Sequence, residues 1–227
     1  MCFSAKASFI AAGTLSVIGL LSLKKATHKK SALPLASTPL LFALQQASEG
    51  IVWISLTTGL PNNISQSAMY TFVFIAGAWW PFWTAIVLYI IEKEPVRKKL
   101  LFYFTILGTI TGILYAISLI TQPLQAIITN HHIYYPLLAY PFGTTTTAAE
   151  YAQTILSIMY LISTVVPCFL SSIEYTSLLG IVLFCAFITS QLFFVPTTAS
   201  TWCFFAAMAS ILIYFIVQKS KSNKNHN

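Results

Sequence analysis

Seven apolar runs divide this chain, and none of them contains a lysine or an arginine. They cover residues 8–23, 33–56, 68–91, 100–121, 151–171, 178–195 and 202–218, each at or near the length a helix needs to cross a hydrocarbon core of about 30 Å. In lipid a backbone must satisfy its own hydrogen bonds, which leaves helices and closed barrels, and the alternating short strands of a barrel are missing. Only 7% of residues are charged, against about a quarter in soluble domains, too few to coat a water-exposed surface. The expectation is an all-α polytopic membrane protein: a single seven-helix bundle over residues 1–218 and a short basic tail at 219–227.

Charge orients the bundle. Eleven of the twelve Lys and Arg fall in three clusters: Lys24, Lys25, Lys29 and Lys30; Lys93, Arg97, Lys98 and Lys99; Lys219, Lys221 and Lys224. The intervening segments 57–67, 122–150 and 196–201 carry none. By the positive-inside rule the clusters are cytoplasmic, the N-terminus is outside and the tail inside, as in a multi-pass protein of a plasma (inner) membrane. The turn 172–177 breaks the pattern, with Glu174 and no basic residue, but acidic residues count for little in that rule. The net charge of +7 is thus a matter of topology, and the expected partner is a lipid bilayer rather than nucleic acid. The run at 8–23 is followed by lysines and not by a small-residue cleavage site, so it reads as a first span.

Three local features refine this frame. Gly108 and Gly112 form a small-xxx-small pair where a neighbouring helix can come close. Pro81, after Trp79-Trp80, should kink the third run and free a carbonyl. In segment 122–150, Tyr134, Tyr135 and Tyr140 with Pro136 and Pro141 suggest an interfacial or re-entrant element.

The candidate site lies in the second run. At helical spacing Gln45, Glu49 and Trp53 stack on one face, with Gln46 beside them. A carboxylate at membrane depth costs several kcal/mol unless it is paired, hydrated or protonated, so this face should turn away from lipid. Glu49 lies seven residues before the outer end of its run, about 10 Å deep. Gln191 and Trp202 belong to the same outer half, which suggests an outward-open polar pocket centred on Glu49 that binds, senses or moves a small ligand or cation. The bland alternative is a Glu that merely ties helices together through the glutamines.

The opening Met1-Cys2-Phe3-Ser4-Ala5, the Gln45-Gln46 with Glu49-Gly50 and Trp53, and Trp202-Cys203-Phe204-Phe205-Ala206-Ala207 resemble an uncharacterised family of prokaryotic multi-span membrane proteins. The resemblance touches both ends and the second span. It implies a shared membrane architecture and supplies no activity.

An enzymatic alternative uses Cys2 as nucleophile, His131 or His132 as base and Glu49 as orienting carboxylate, or a metal site that includes Cys203; such sites are recognised by geometry, not chain order. Against it, adjacent histidines diverge in most conformations and no metal-binding spacing is present. Near the oxidising outer surface, Cys2 and Cys203 fit a disulfide as well as they fit two unpaired thiols. Glu150, His131 and His132 otherwise read as solvated residues of the outer segment. No cofactor is indicated, and protein partners stay unassigned.

Overall fold

The computed structural model describes residues 4–27, 29–143 and 146–222, with side chains as far as Lys219. It is 83% helical. The long elements are α1 (Ala5–Ala26), α2 (Leu33–Thr58), α3 (Asn62–Val73), α4 (Trp80–Ile91), α5 (Pro95–Thr121), α7 (Thr147–Leu170), α8 (Thr176–Phe193) and α9 (Thr198–Ser222); a single turn, α6 (Pro136–Ala139), sits between α5 and α7. Each predicted run falls on these helices, give or take a residue or two at its end. Among the described residues, six helical rods are long and apolar enough to cross a membrane: α1, α3–α4 as one rod, α5, α7, α8 and α9. Although α2 is as long as these, its glutamines, serines and Glu49 lower its hydropathy.

The outer surface of the bundle is apolar, unlike that of a soluble bundle, and the interior adds a set of buried polar groups to an apolar core. On α5, Ile106, Ile110, Ile113, Ile117 and Ile120 recur at helical spacing and are all exposed, while Thr105, Gly108, Thr111, Gly112 and Tyr115 on the opposite face are buried. An exposed isoleucine stripe of this kind suits lipid. The buried glycine stripe lets α5 touch the rod before it backbone to backbone: a Cβ on Gly108 would lie 2.0 Å from the Pro81 carbonyl oxygen, and one on Gly112 2.3 Å from that of Ala78.

Pro81 stands just past a π-helical turn. Residues Phe74–Trp79, between α3 and α4, form a π-helical segment, and the Trp80 N–H reaches back to the Ile75 carbonyl. In that register the Ala76 carbonyl should receive the N–H of residue 81, which proline lacks. The Tyr160 hydroxyl of α7 donates to it instead, at 2.5 Å.

The basic clusters converge at one end. Lys29, Lys93 and Lys219 line a single cleft there with Ser172 and Glu174, and Lys219 pairs with Glu174 at 3.2 Å. The turn 172–177, acidic in sequence, is bound to this end by Glu92. Its carboxylate accepts from the backbone N–H groups of Lys93, Glu94 and Ser172 and from the hydroxyls of Ser171 and Ser172, at 2.6–3.1 Å. Burial alone would raise the Glu92 pKa; these donors outweigh it and hold the group down at about 2.

At the opposite end, segment 122–150 departs from expectation. It forms an antiparallel hairpin, β1 (Ile127–Thr129) and β2 (His132–Tyr134), followed by α6. Asn130 and His131 supply the two-residue turn, both with positive φ, as the twist of such a hairpin requires. The hairpin is a cap rather than an interfacial helix: Ile133 and Tyr135 are buried, and the Tyr135 ring stacks on Phe72 at 4.6 Å, whereas Tyr140 stays exposed.

Candidate functional site

The polar face of α2 is turned wholly into the protein. Gln45, Gln46 and Glu49 are completely buried and Trp53 nearly so, whereas Leu44 on the other side is half exposed. Three helices meet this face. From α9, the Ser200 hydroxyl donates to Glu49 Oε1. From α4, Trp80 Nε1 donates to Gln45 Oε1 at 2.8 Å while its ring stacks on Phe42 at 3.9 Å. From α1, the Phe9 ring lies against Gly50, where a Cβ would come within 2.9 Å of it. Cys203, one turn beyond Ser200, sits beside Gln45 and in the field of Glu49. Both ends of the Gln46 amide and the Trp53 indole N–H have no hydrogen-bond partner among the described residues.

A cavity of about 280 Å³ lies next to this layer, between α5, α7, α8, the start of α9 and the hairpin cap. Tyr115, Tyr135, Tyr140, Tyr160, Phe187 and Trp202 form its aromatic lining, Gln153 and Gln191 bring amides, and Cys203 closes the side nearest α2. The rings meet edge to face: Tyr115 on Tyr160 at 5.8 Å, Tyr160 on Trp202 at 5.4 Å, Phe187 on Trp202 at 5.1 Å. Trp202 Nε1 donates to the Leu183 carbonyl at 3.1 Å. Among the described residues, no Asp, Glu, Lys or Arg lines the cavity.

The expected single pocket is thus two compartments. Glu49 is not in the cavity wall, and Gln191 is not its hydrogen-bonding neighbour but an exposed side chain that accepts from Thr198 Oγ1 at 3.3 Å. The first turns of α9 separate the two, Ala199 and Trp202 facing the cavity and Ser200 facing α2.

The remaining candidates are scattered. His131 is exposed in the hairpin turn, while His132 is buried with its ring edge to face with Phe194 at 5.0 Å. Burial is the main cause of a lowered His132 pKa, and the neighbouring charge of His131 contributes in the same direction. Glu150 is exposed in the first turn of α7, where the helix dipole favours an acid. Cys2, and with it the proposed disulfide and the cysteine–histidine constellation, lies outside the described residues; Cys203 is a buried free cysteine. Among the described residues, no group of three His, Cys, Asp or Glu side chains is placed to hold a metal ion.

Sequence reasoning passed over Tyr115, Tyr160, Gln153 and Ser200. Ser200 stands three residues before Cys203, on the same helical face, and that spacing was a usable signal. For Tyr160 there was none, because its acceptor is 84 residues away.

Apolar rods facing outward and a polar layer within define an integral, multi-pass membrane protein. Over residues 1–227 the chain matches the model of a family of unknown function (DUF6629), and it belongs to that family. No curated protein and no solved structure matches it.

Proposed function

We propose that this protein crosses a plasma (inner) membrane seven times, with its N-terminus outside and its tail in the cytoplasm, and binds a small uncharged molecule in the outward-facing cavity beneath the hairpin. The observation that carries this reading is the lining: six aromatic side chains and two amides around about 280 Å³, with no ionised side chain among the described residues. Ligand pockets combine a mostly apolar, aromatic wall with a few polar groups that fix orientation. An ion would enter without a counter-charge, while a flat molecule with one or two hydrogen-bonding groups meets both kinds of wall. The convergence of Lys29, Lys93 and Lys219 at one end supports the orientation, and α2 supplies the seventh crossing because its polar face is covered by α1, α4 and α9.

Indole, an uncharged ring with one donor, is a suitable probe. It should raise the melting temperature of the purified protein, and Ala199→Trp, which fills the cavity, should abolish that rise. No shift with indole, or an equal shift in the filled variant, would overturn the reading. Reporter fusions at Gly59 and at the C-terminus test the orientation; a tail found outside would reverse it.

The burial of Glu49 among Gln45, Gln46 and Ser200 favours a second reading, in which a cation binds the polar layer of α2. In that case sodium or potassium stabilises the wild type and fails to stabilise Glu49→Gln; equal responses of the two proteins would dismiss it.

A further inference from the structure

The hairpin-end cavity does not stand alone. A second, narrower cavity of about 50 Å³ shares Tyr160, Trp202 and Cys203 with it. Away from that common wall the two diverge along each helix. On α7 the first cavity uses Gln153 and Ser157, and the second Thr164 and Cys168. On α9 they use Thr198 and Ala199, then Ala206 and Ile213; on α8, Gln191 and Phe187, then Leu183 and Leu179. The second cavity therefore continues the first along the helix axes, and it ends near Leu35 and Leu179, in the first turns of α2 and α8, at the basic end of the bundle.

We propose that the two cavities are halves of one route through the bundle, closed in this structure by the rings of Tyr160 and Trp202, and that its cargo is a small uncharged molecule. The proposal rests on the reading of the hairpin-end cavity as a binding site and extends it to movement. Both closing rings are latched by a hydrogen bond to a backbone carbonyl, Tyr160 to Ala76 in the π-helical segment and Trp202 to Leu183. The route can open when either latch is released, since rotating one ring joins the cavities without breaking helix backbone. The π-helical segment contributes an acceptor that an ordinary α-helix would have used internally, and such segments recur at functional sites. No ionised side chain among the described residues lines either cavity, and the second is apolar apart from threonine hydroxyls, the Trp80 and Trp83 indoles, the Cys168 thiol and the groups of the shared wall. An ion would shed its water there with nothing to replace it, whereas an uncharged solute pays far less.

The test uses the full chain in liposomes, with glycerol and potassium as probes. Tyr160→Phe removes one latch and Trp202→Ala removes one ring, so each should raise glycerol permeability several-fold over the wild type while potassium permeability stays at the level of protein-free liposomes. Ala206→Trp, which fills the second cavity, should return glycerol permeability to the wild-type level when combined with either. If both single variants fold, as judged by size-exclusion profile, and neither admits glycerol, the route is overturned. A rise in glycerol accompanied by an equal potassium leak overturns it too, since that reports a damaged bundle. Should Trp202→Ala fail to fold, Tyr160→Phe decides alone. Indole stabilisation of the wild type is read separately: if it persists while glycerol flux is absent, only the route fails; if it is absent, the binding site itself falls.

Discussion

The Tyr160 hydroxyl occupies the Ala76 carbonyl that Pro81 and the π-helical register deprive of a backbone partner. This bond fixes α7 against the rod formed by α3 and α4. Tyr160→Phe keeps the ring and leaves the carbonyl unsatisfied, at a cost of about 1 kcal/mol by the scale of hydrogen bonds between membrane helices. Unfolding in mixed detergent micelles measures it; an unchanged midpoint would mean that the bond contributes nothing to stability.

Gly108→Ala and Gly112→Ala should cost more. Each new methyl meets backbone oxygen, at 2.0 Å from Pro81 and 2.3 Å from Ala78, so α5 must move away rather than a side chain turn aside. Overpacking of this kind costs about 1–3 kcal/mol. Gly13→Ala is the control, because nothing lies within 4 Å of its Cβ position. Thermal aggregation midpoints should fall for the first two and hold or rise for the third.

Glu92 predicts an acid limit. Its pKa is about 2 in the folded protein against an ordinary 4.5, so the folded state favours the carboxylate. The resulting stability, about 3 kcal/mol at most, is fully present above pH 4.5 and is lost as the pH falls toward 2. Glu92→Gln should lower stability at neutral pH and flatten its decline below pH 4.5. Equal pH profiles for the two proteins would remove Glu92 from the account.

The Ser200–Glu49 bond joins α9 to the middle of α2. Ser200→Ala should destabilise by about 1–3 kcal/mol, the range for losing a hydrogen bond to a group that is charged or buried. Combined with Glu49→Gln, the two losses should be less than additive, because they remove one shared interaction. Strict additivity in the double-mutant cycle would show that the residues act independently.

Features that repeat along one helix could be read from the sequence. Gln45, Glu49 and Trp53 share a face by spacing alone, and lipid's intolerance of that face dictated its burial; Gly108 and Gly112 announced a close approach for the same reason. What escaped depends on pairs distant in the chain or on very short elements. Ile127–Thr129 and His132–Tyr134 are too brief to show alternation, although β-branched residues around Asn130-His131 were a hairpin signal. Glu92, beside a basic cluster, carries no signal of its role in the sequence, because its donors Ser171 and Ser172 come from a different turn. The separation of Gln191 from Glu49 follows from how the first turns of α9 lie between α2 and the cavity, a matter of packing and not of depth.

The carboxylate of Glu92 also sets the mechanics of the bundle. Three hydrogen bonds, from the Ser171 and Ser172 hydroxyls and the Ser172 N–H, pin the α7–α8 turn to the loop after α4, and Arg97 adds a fourth tie, to the Leu170 carbonyl. Any rocking of α7 and α8 has its fulcrum there. With a lever arm of about 36 Å for the 24 residues of α7, a tilt of about three degrees displaces the far end by roughly 2 Å while the basic end stays in place.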